Sequence, residues 1–454
     1  MKRVVCLCFA LAFACAVTQP ARADEVTDWN EAMLRAALIA GTSPLNMSRV
    51  AAMVQSAVFD AVNGIDARYT PIHMTDTAPA GSSRRAAAVQ AAYAMLSRLY
   101  GASPANAPQV ALDARRTVSL LEIAQDESQA SINKGVAWGQ AVADEIFFWR
   151  SGGGPHAYPG DGFSTTSPFP GTVAIGQWRQ TPNLPVSGGL SAAGVGYLQF
   201  SNQTPWVMSS PGRFRPAGPP ALTSAQYARE FNETRTMGSF SSAARTPDQT
   251  TYSLFWNAGT ASYLWNRAAV SLIEKNNRDR ERTDDWNHGQ HSTLLENARI
   301  LGELDVAMAD AAIGCWDAKY FEDAVTNRHP FWRPITAIRD TGDDANPATT
   351  SDSSWTPLFA TPGHPEYPSG HSCISGAAAA ILSHEFGETT HFSMTSDLML
   401  GVERQYASFS EALEEVKNAR VFAGIHFRTA TEDGTQLGAS VARLVLQERF
   451  QPIH

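Results

Sequence analysis

The sequence predicts an all-α protein, and three observations carry that reading. Ala-rich runs with apolar residues at helical spacing recur along the chain. Alternating, strand-like runs are almost absent. No Gly/Ser linker and no fixed-period repeat divides the chain. The 454 residues are 44% hydrophobic and 17% charged. That composition supports a large core and excludes a disordered chain.

The first element is a leader. Lys2 and Arg3 precede an apolar run from Val4 to Val17, followed by Ala21-Arg22-Ala23. A basic start, a short apolar stretch and a small-residue site predict a signal peptide over residues 1–23, cleaved before Asp24. A lipoprotein signal ending at Cys15 fits less well, because Ala12 and Phe13 depart from that pattern. The run falls short of the roughly 20 apolar residues that span a bilayer. The expectation is a secreted or periplasmic protein without stable membrane insertion. Removing Lys2, Arg3 and Arg22, and no acid, takes the formal charge from −9 to −12. Such an acidic chain is a poor general binder of nucleic acid or anionic membranes, although a few buried cations can still bind a small oxyanion. Cleavage leaves only Cys315 and Cys373. They can form one disulfide or remain two buried thiols, so the core must supply the stability.

Helical spacing predicts helices at Trp29 to Ala40, Asn46 to Asn63 and Arg84 to Tyr100, with Gly64 and Gly101 as stops. Another helical stretch is expected within Thr117 to Trp149. Residues 150 to 222 are dense in Gly and Pro, yet carry Trp178, Phe200, Trp206 and Phe214. Disordered segments are poor in aromatics, so this reads as ordered loop packed over the helices. Helical patterning resumes at Ser224 to Met237, Asp248 to Glu274 and Thr293 to Tyr320. It continues at about 369–386, 396–424 and 433–448. Ser408 and Glu411 have capping-box spacing, so 396–424 can be two helices.

Three segments of the last third carry the chemistry: Trp332-Arg333-Pro334, Pro368-Ser369-Gly370-His371, and Ala419-Arg420 with His426 six residues after the Arg. Pro-Ser-Gly ahead of an apolar helix offers free backbone N–H groups where the helix dipole favours an anion. Gly370 permits close approach and Ser369 adds a hydroxyl. Arg333 and Arg420 supply planar forks suited to tetrahedral oxyanions. His371 can move protons near neutral pH. His426 can attack phosphorus or ligate a metal. On an ideal helix Arg420 and His426 point about 120° apart. Both reach one anion only if the helix bends or ends near Gly424.

Together these motifs resemble the signature of the vanadium-dependent haloperoxidases, which share their site with type 2 phosphatidic acid phosphatases and bacterial acid phosphatases. That pattern runs Lys, six residues, Arg-Pro; then Pro-Ser-Gly-His; then Ser-Arg, five residues, His. Ala51 to Ile65, Gly176-Gln177-Trp178, Arg245 to Thr250 with Phe255-Trp256, Trp316 to Tyr320 and His364 to Pro368 resemble the bacterial members too. The resemblance thus spans nearly all of 24–454. It implies a single helical domain there, built of two packed bundles, with the oxyanion site in 293–454. It further implies that Lys319, Arg333, Ser369, Gly370 and Arg420 hold the oxygens of vanadate or phosphate. His371 would be the acid–base group, and His426 the vanadium ligand or a phosphohistidine. Hydrogen peroxide and halide would be the substrates, or a phosphate ester in the phosphatase branch, and a homodimer stays open.

Three departures accompany it. Thirteen residues, not six, separate Lys319 from Arg333, so Phe321 to Pro330 must loop out, or Arg328 must substitute. Ala419 replaces the usual Ser. The phosphatases' orienting Asp, four residues after the final His, is Ala430 here, with Glu432 and Asp433 the nearest acids. Asp310 and Asp317, on one helix face, are candidates to pair with the Arg cluster. A non-catalytic relative of the family is a third reading, favoured if Phe321 to Pro330 fills the site.

Overall fold

The computed structural model describes residues 24–101, 107–151, 169, 171–186, 189–190, 198–282, 293–340 and 344–453. The expected leader lies outside these residues, as do 152–168 and 191–197 in the Gly/Pro-rich stretch. The chain is all-α. Among the described residues the only sheet is one antiparallel pair of short strands.

The first bundle comprises α1 (Glu25–Ile39), α2 (Pro44–Asp66), α3 (Arg84–Tyr100), α4 (Ala107–Ile123) and α5 (Gln129–Ser151). Asp24 caps α1 by accepting the N–H groups of Val26 and Thr27. α2 lies at the centre, against α3 and α5. Its side chains are buried all round from Val50 to Asn63, which short Ala, Ser and Val side chains make possible in a tightly packed bundle. Gly101 caps α3 as expected. Gly64 does not stop α2, which continues to Asp66 and ends on Ala67 in the left-handed region. The stretch within Thr117 to Trp149 is two helices, α4 and α5, interrupted after Ile123.

The second bundle is formed by α9 (Thr293–Tyr320), α11 (Gly370–Phe386), α12 (Phe409–Phe422) and α13 (Arg428–Glu448). α11 packs against α9, α12 and α13, and α9 also packs against α2. The long buried helix α9 therefore joins the two bundles, and one apolar core runs from Val26 to Phe450. Before it come α6 (Ala225–Met237), α7 (Pro247–Ala258) and α8 (Ala261–Arg282). A single helix over Asp248 to Glu274 was the expectation. Gly259 is extended instead, and the Thr260 hydroxyl accepts the Tyr263 N–H to start α8 afresh. α7 begins with a complete capping box between Thr246 and Gln249. α10 (Pro334–Arg339) is a short turn of helix after Arg333.

Two further boundaries differ from the sequence reading. Helix at 396–407 is replaced by a hairpin, β1 (Phe392–Thr395) with β2 (Glu403–Tyr406), Phe392 facing Tyr406. Long-range bonds hold it: the Arg404 guanidinium reaches Asp248 and Glu415, and the Tyr406 hydroxyl donates to Glu415. The capping signal at Ser408 does start a helix, α12, with the Ser408 Oγ accepting the Glu411 N–H at 3.0 Å. The last helix, α13, begins at Arg428 rather than 433. The aromatic loop residues Trp178, Phe200 and Trp206 are buried.

Candidate oxyanion site

The site gathers where α9, α11 and the α12–α13 turn meet. α12 ends in a Schellman motif. The Ile425 N–H bonds the Arg420 carbonyl, the Gly424 N–H bonds the Val421 carbonyl, and Gly424 has φ +77°. A Cβ at Gly424 would come within 2.8 Å of the Trp355 ring, so space and backbone both require glycine. This reversal is what the spacing demanded. Arg420 stays in the last helical turn, while His426 folds back toward the same cations. The Arg245 guanidinium braces the turn by donating to the Met237, Ser239 and Phe422 carbonyls.

Arg333 stands just before α10 and is fully buried. It donates to the carbonyls of His364 and Ile425, each at 2.8 Å. Its Nη2 lies 3.0 Å from His364 Nδ1 and its Nη1 3.1 Å from His426 Nε2. A guanidinium nitrogen can only donate. His426 Nε2 is therefore unprotonated, and the proton of the neutral ring is on Nδ1. There it meets Glu366 Oε1 at 2.8 Å. The same oxygen accepts the Phe427 N–H at 3.0 Å.

Ser369 caps α11, as the Pro-Ser-Gly-His motif implies. Its Oγ accepts from the Ser372 N–H and lies 3.0 Å from the Ser372 hydroxyl. The Trp316 ring covers Gly370, and a Cβ there would lie 2.9 Å from it. His371 is half-buried and hydrogen-bonded to the Trp256 backbone. Its Nε2 is a buried atom without a partner, as are Nε and Nη1 of Arg420, which is 1% exposed. Cys315 and Cys373 are joined as a disulfide that ties α9 to the start of α11, one turn from Ser369.

Electrostatics mark the cluster as built for a negative group. Burial, then the Arg333 charge, pushes the Arg420 guanidinium down to about 9, and burial takes Arg333 to about 10. Both remain charged at neutral pH. Burial, then Arg420, holds His371 well below the ordinary histidine value, and burial, then Arg333, does the same to His426. Burial pushes Glu366 up to about 8, against the pull of Arg333. Cations with unpaired, desolvated N–H groups are costly unless a ligand supplies the acceptors. This donor set fits a tetrahedral oxyanion such as vanadate or phosphate.

The structure brings together all the residues named from the motifs. Lys319 joins them because Phe321 to Pro330 loops out through an Asp323–Arg328 pair, leaving Val325 93% exposed. The loop does not fill the site. Yet the Lys319 ammonium donates to the carbonyls of Pro365 and Glu366, at 2.8 and 3.0 Å, and of Pro368. Its three hydrogens are thus spent on the chain entering the motif, and its contribution to an anion is charge at one remove. Arg328 does not replace it. Its Nη1 donates to the Pro216 carbonyl and its guanidinium lies over Phe321. Asp310 and Asp317 do not pair with the Arg cluster either. Asp310 accepts three loop N–H groups, and Asp317 forms a two-bonded ion pair with Arg215. Asp433 accepts from the Tyr367 hydroxyl, and Glu432 is exposed. Sequence reasoning missed Glu366 and His364. The signal available was an acid three residues before Ser369 in a Pro-rich segment where charge is otherwise absent.

Residues 299–454 match the family model of the VCPO second helical-bundle domain. Lys319, Arg333, Ser369, Gly370, His371, Arg420 and His426 all lie within the matched residues, as do His364 and Glu366. The vanadium chloroperoxidase of Curvularia inaequalis is 29% identical over 189 residues, which cover 36% of this chain and 28% of that protein's length. Among solved structures, the first bacterial vanadium-dependent iodoperoxidase superposes with a TM-score of 0.71 at 23% identity, covering 94% of this chain and 97% of that one. The holo-type bacterial vanadium-dependent chloroperoxidase gives 0.64 at 16% identity, covering 95% and 98%. The fold is thus that of the vanadium haloperoxidase structures.

Proposed function

We propose that the chain is an exported vanadate-dependent haloperoxidase, acting on hydrogen peroxide and a halide, with its leader removed before Asp24 and residues 24–454 as one domain. The observation that carries this reading is the set of buried, unpartnered donors on Arg420 and the free Nε2 of His371, gathered beside the unprotonated Nε2 of His426. The relatives' names support the choice of vanadate and of halide chemistry.

In this reading His426 Nε2 is the ligand atom, its proton being on Nδ1, and the bound group would take the place of the Arg333 Nη1–H at the Nε2 lone pair. Arg333 and Arg420 offset the negative charge, and the Ser369 hydroxyl and first N–H groups of α11 donate to oxygens. Lys319 adds its charge while holding the 365–368 carbonyls. His371, the half-buried member, takes up a proton at Nε2 and returns it. Bound vanadate supplies Lewis acidity that activates peroxide toward halide without a change of oxidation state. The test is incubation of the purified protein with orthovanadate, hydrogen peroxide and a phenolic acceptor, with iodide, bromide and chloride in parallel. Vanadate-dependent halogenation is expected, and its absence with all three halides overturns the reading.

A metal-free acid phosphatase is the second reading, and the Glu366–His426 contact favours it. An oriented, neutral histidine is what in-line attack on phosphorus needs, and Glu366 supplies the carboxylate missing at Ala430. Hydrolysis of a generic phosphate ester without vanadate, lost in His426→Ala, would establish it.

A further inference from the structure

We infer that Glu366 is the positioning residue of His426, receiving its Nδ1–H on the side opposite the Arg333 donor and so aiming Nε2 into the cluster. The inference rests on the oxyanion reading and deepens it, because both vanadium ligation and attack on phosphorus use the Nε2 lone pair. One carboxylate oxygen receives the ring Nδ1–H and the backbone N–H of Phe427. Glu366 therefore sets the ring together with the chain that carries it. Nothing on α13 can take over. Ala430, one turn beyond the histidine, is buried and apolar, and its carbonyl accepts the Ser369 N–H.

Glu366 is itself held. It is 1% exposed. The Lys319 ammonium fixes its carbonyl and those of Pro365 and Pro368, and its own N–H donates to the Phe331 carbonyl. The lysine thus acts on His426 through Glu366. A ring whose Nδ1–H is fixed by a carboxylate is also more basic at Nε2, and loss of such a partner typically costs 10–100-fold in metal affinity.

The test uses the full-length protein, ¹⁵N-labelled at histidine, with Glu366→Gln and Glu366→Ala. The amide oxygen of Gln can still accept from Nδ1 and from Phe427, so it keeps the geometry without the charge. Histidine ¹⁵N shifts report the tautomer, and calorimetric titration with orthovanadate, and separately inorganic phosphate, reports affinity. The expected result is an Nδ1–H tautomer for His426 in the parent and Glu366→Gln. Without the carboxylate the ring is free to turn from Arg333, so Glu366→Ala should mix the two tautomers and bind vanadate at least tenfold more weakly. An unchanged tautomer together with unchanged affinity in Glu366→Ala, or Nε2–H in the parent, overturns the inference. Where Glu366→Ala does not fold, the parent and Glu366→Gln spectra decide. A parent with the Nδ1–H tautomer that binds neither anion would refute the oxyanion reading while leaving the positioning role standing.

Discussion

Two regions of the molecule bury charge in opposite ways. Asp60 and Asp310 are acid clasps. Asp60 accepts the N–H groups of Ile72, His73 and Met74 at 2.8 to 2.9 Å. Asp310 does the same for Trp206, Val207 and Met208 at 2.6 to 2.9 Å. Each carboxylate folds a loop back onto its helix and is fully used. At the cationic cluster, Arg420 keeps buried N–H groups without acceptors and His371 keeps a bare Nε2. A fully paired buried charge is architecture, whereas at the cluster several unpaired polar atoms converge on one place, as a ligand requires. The contrast separates stability from binding, and each region can be broken alone.

The largest loss of stability is expected at the clasps. Asp310→Ala leaves three buried N–H groups unpaired, and urea denaturation should show a loss of about 3–5 kcal/mol, with vanadate affinity in the folded fraction little changed. A loss under 1 kcal/mol would place the clasps and the cluster in one class. Next is Asp305, buried on α9 with Asn266 as its donor, whose carboxyl burial pushes up to about 8. Between its ordinary value of 3.8 and about 8 the folded state holds a proton that the unfolded state has lost. Stability is therefore fully present below 3.8 and falls as pH rises toward 8. Asp305→Asn removes that dependence. It should melt above the parent by a margin that grows from pH 4 to pH 8, by up to about 1.4 kcal/mol per pH unit. A margin independent of pH would contradict this. The smallest stability effect belongs to the cluster. Arg420→Met replaces an unpaired buried cation with an apolar chain, and should leave stability within about 1 kcal/mol of the parent or raise it.

The same contrast explains what was legible in the sequence. Helices whose apolar spacing is uninterrupted, such as Arg84–Tyr100 and Thr293–Tyr320, were read to the residue. Gly424 was read correctly as the turn that lets Arg420 and His426 converge, because the spacing left no other solution. Where one residue in extended backbone breaks a run, as at Gly259, periodicity continued through it. The 403–406 strand was missed because its reasons are distant, in Asp248 and Glu415. Glu366 was missed for a related cause. The partner of a histidine near the C-terminus lies 60 residues earlier in the chain, and no spacing rule connects them. Lys319 was placed in the right cluster, but its donors go to carbonyls, which sequence cannot show.

The central claim is that the unpaired donors exist for an oxyanion. Isothermal titration of orthovanadate into the parent protein and Arg420→Met, each verified as folded, tests it most directly. The account predicts one anion bound per chain in the parent, displaced by phosphate, and affinity at least tenfold weaker in the variant at unchanged stability. Equal affinity in the two proteins, or no binding to the parent, would contradict it.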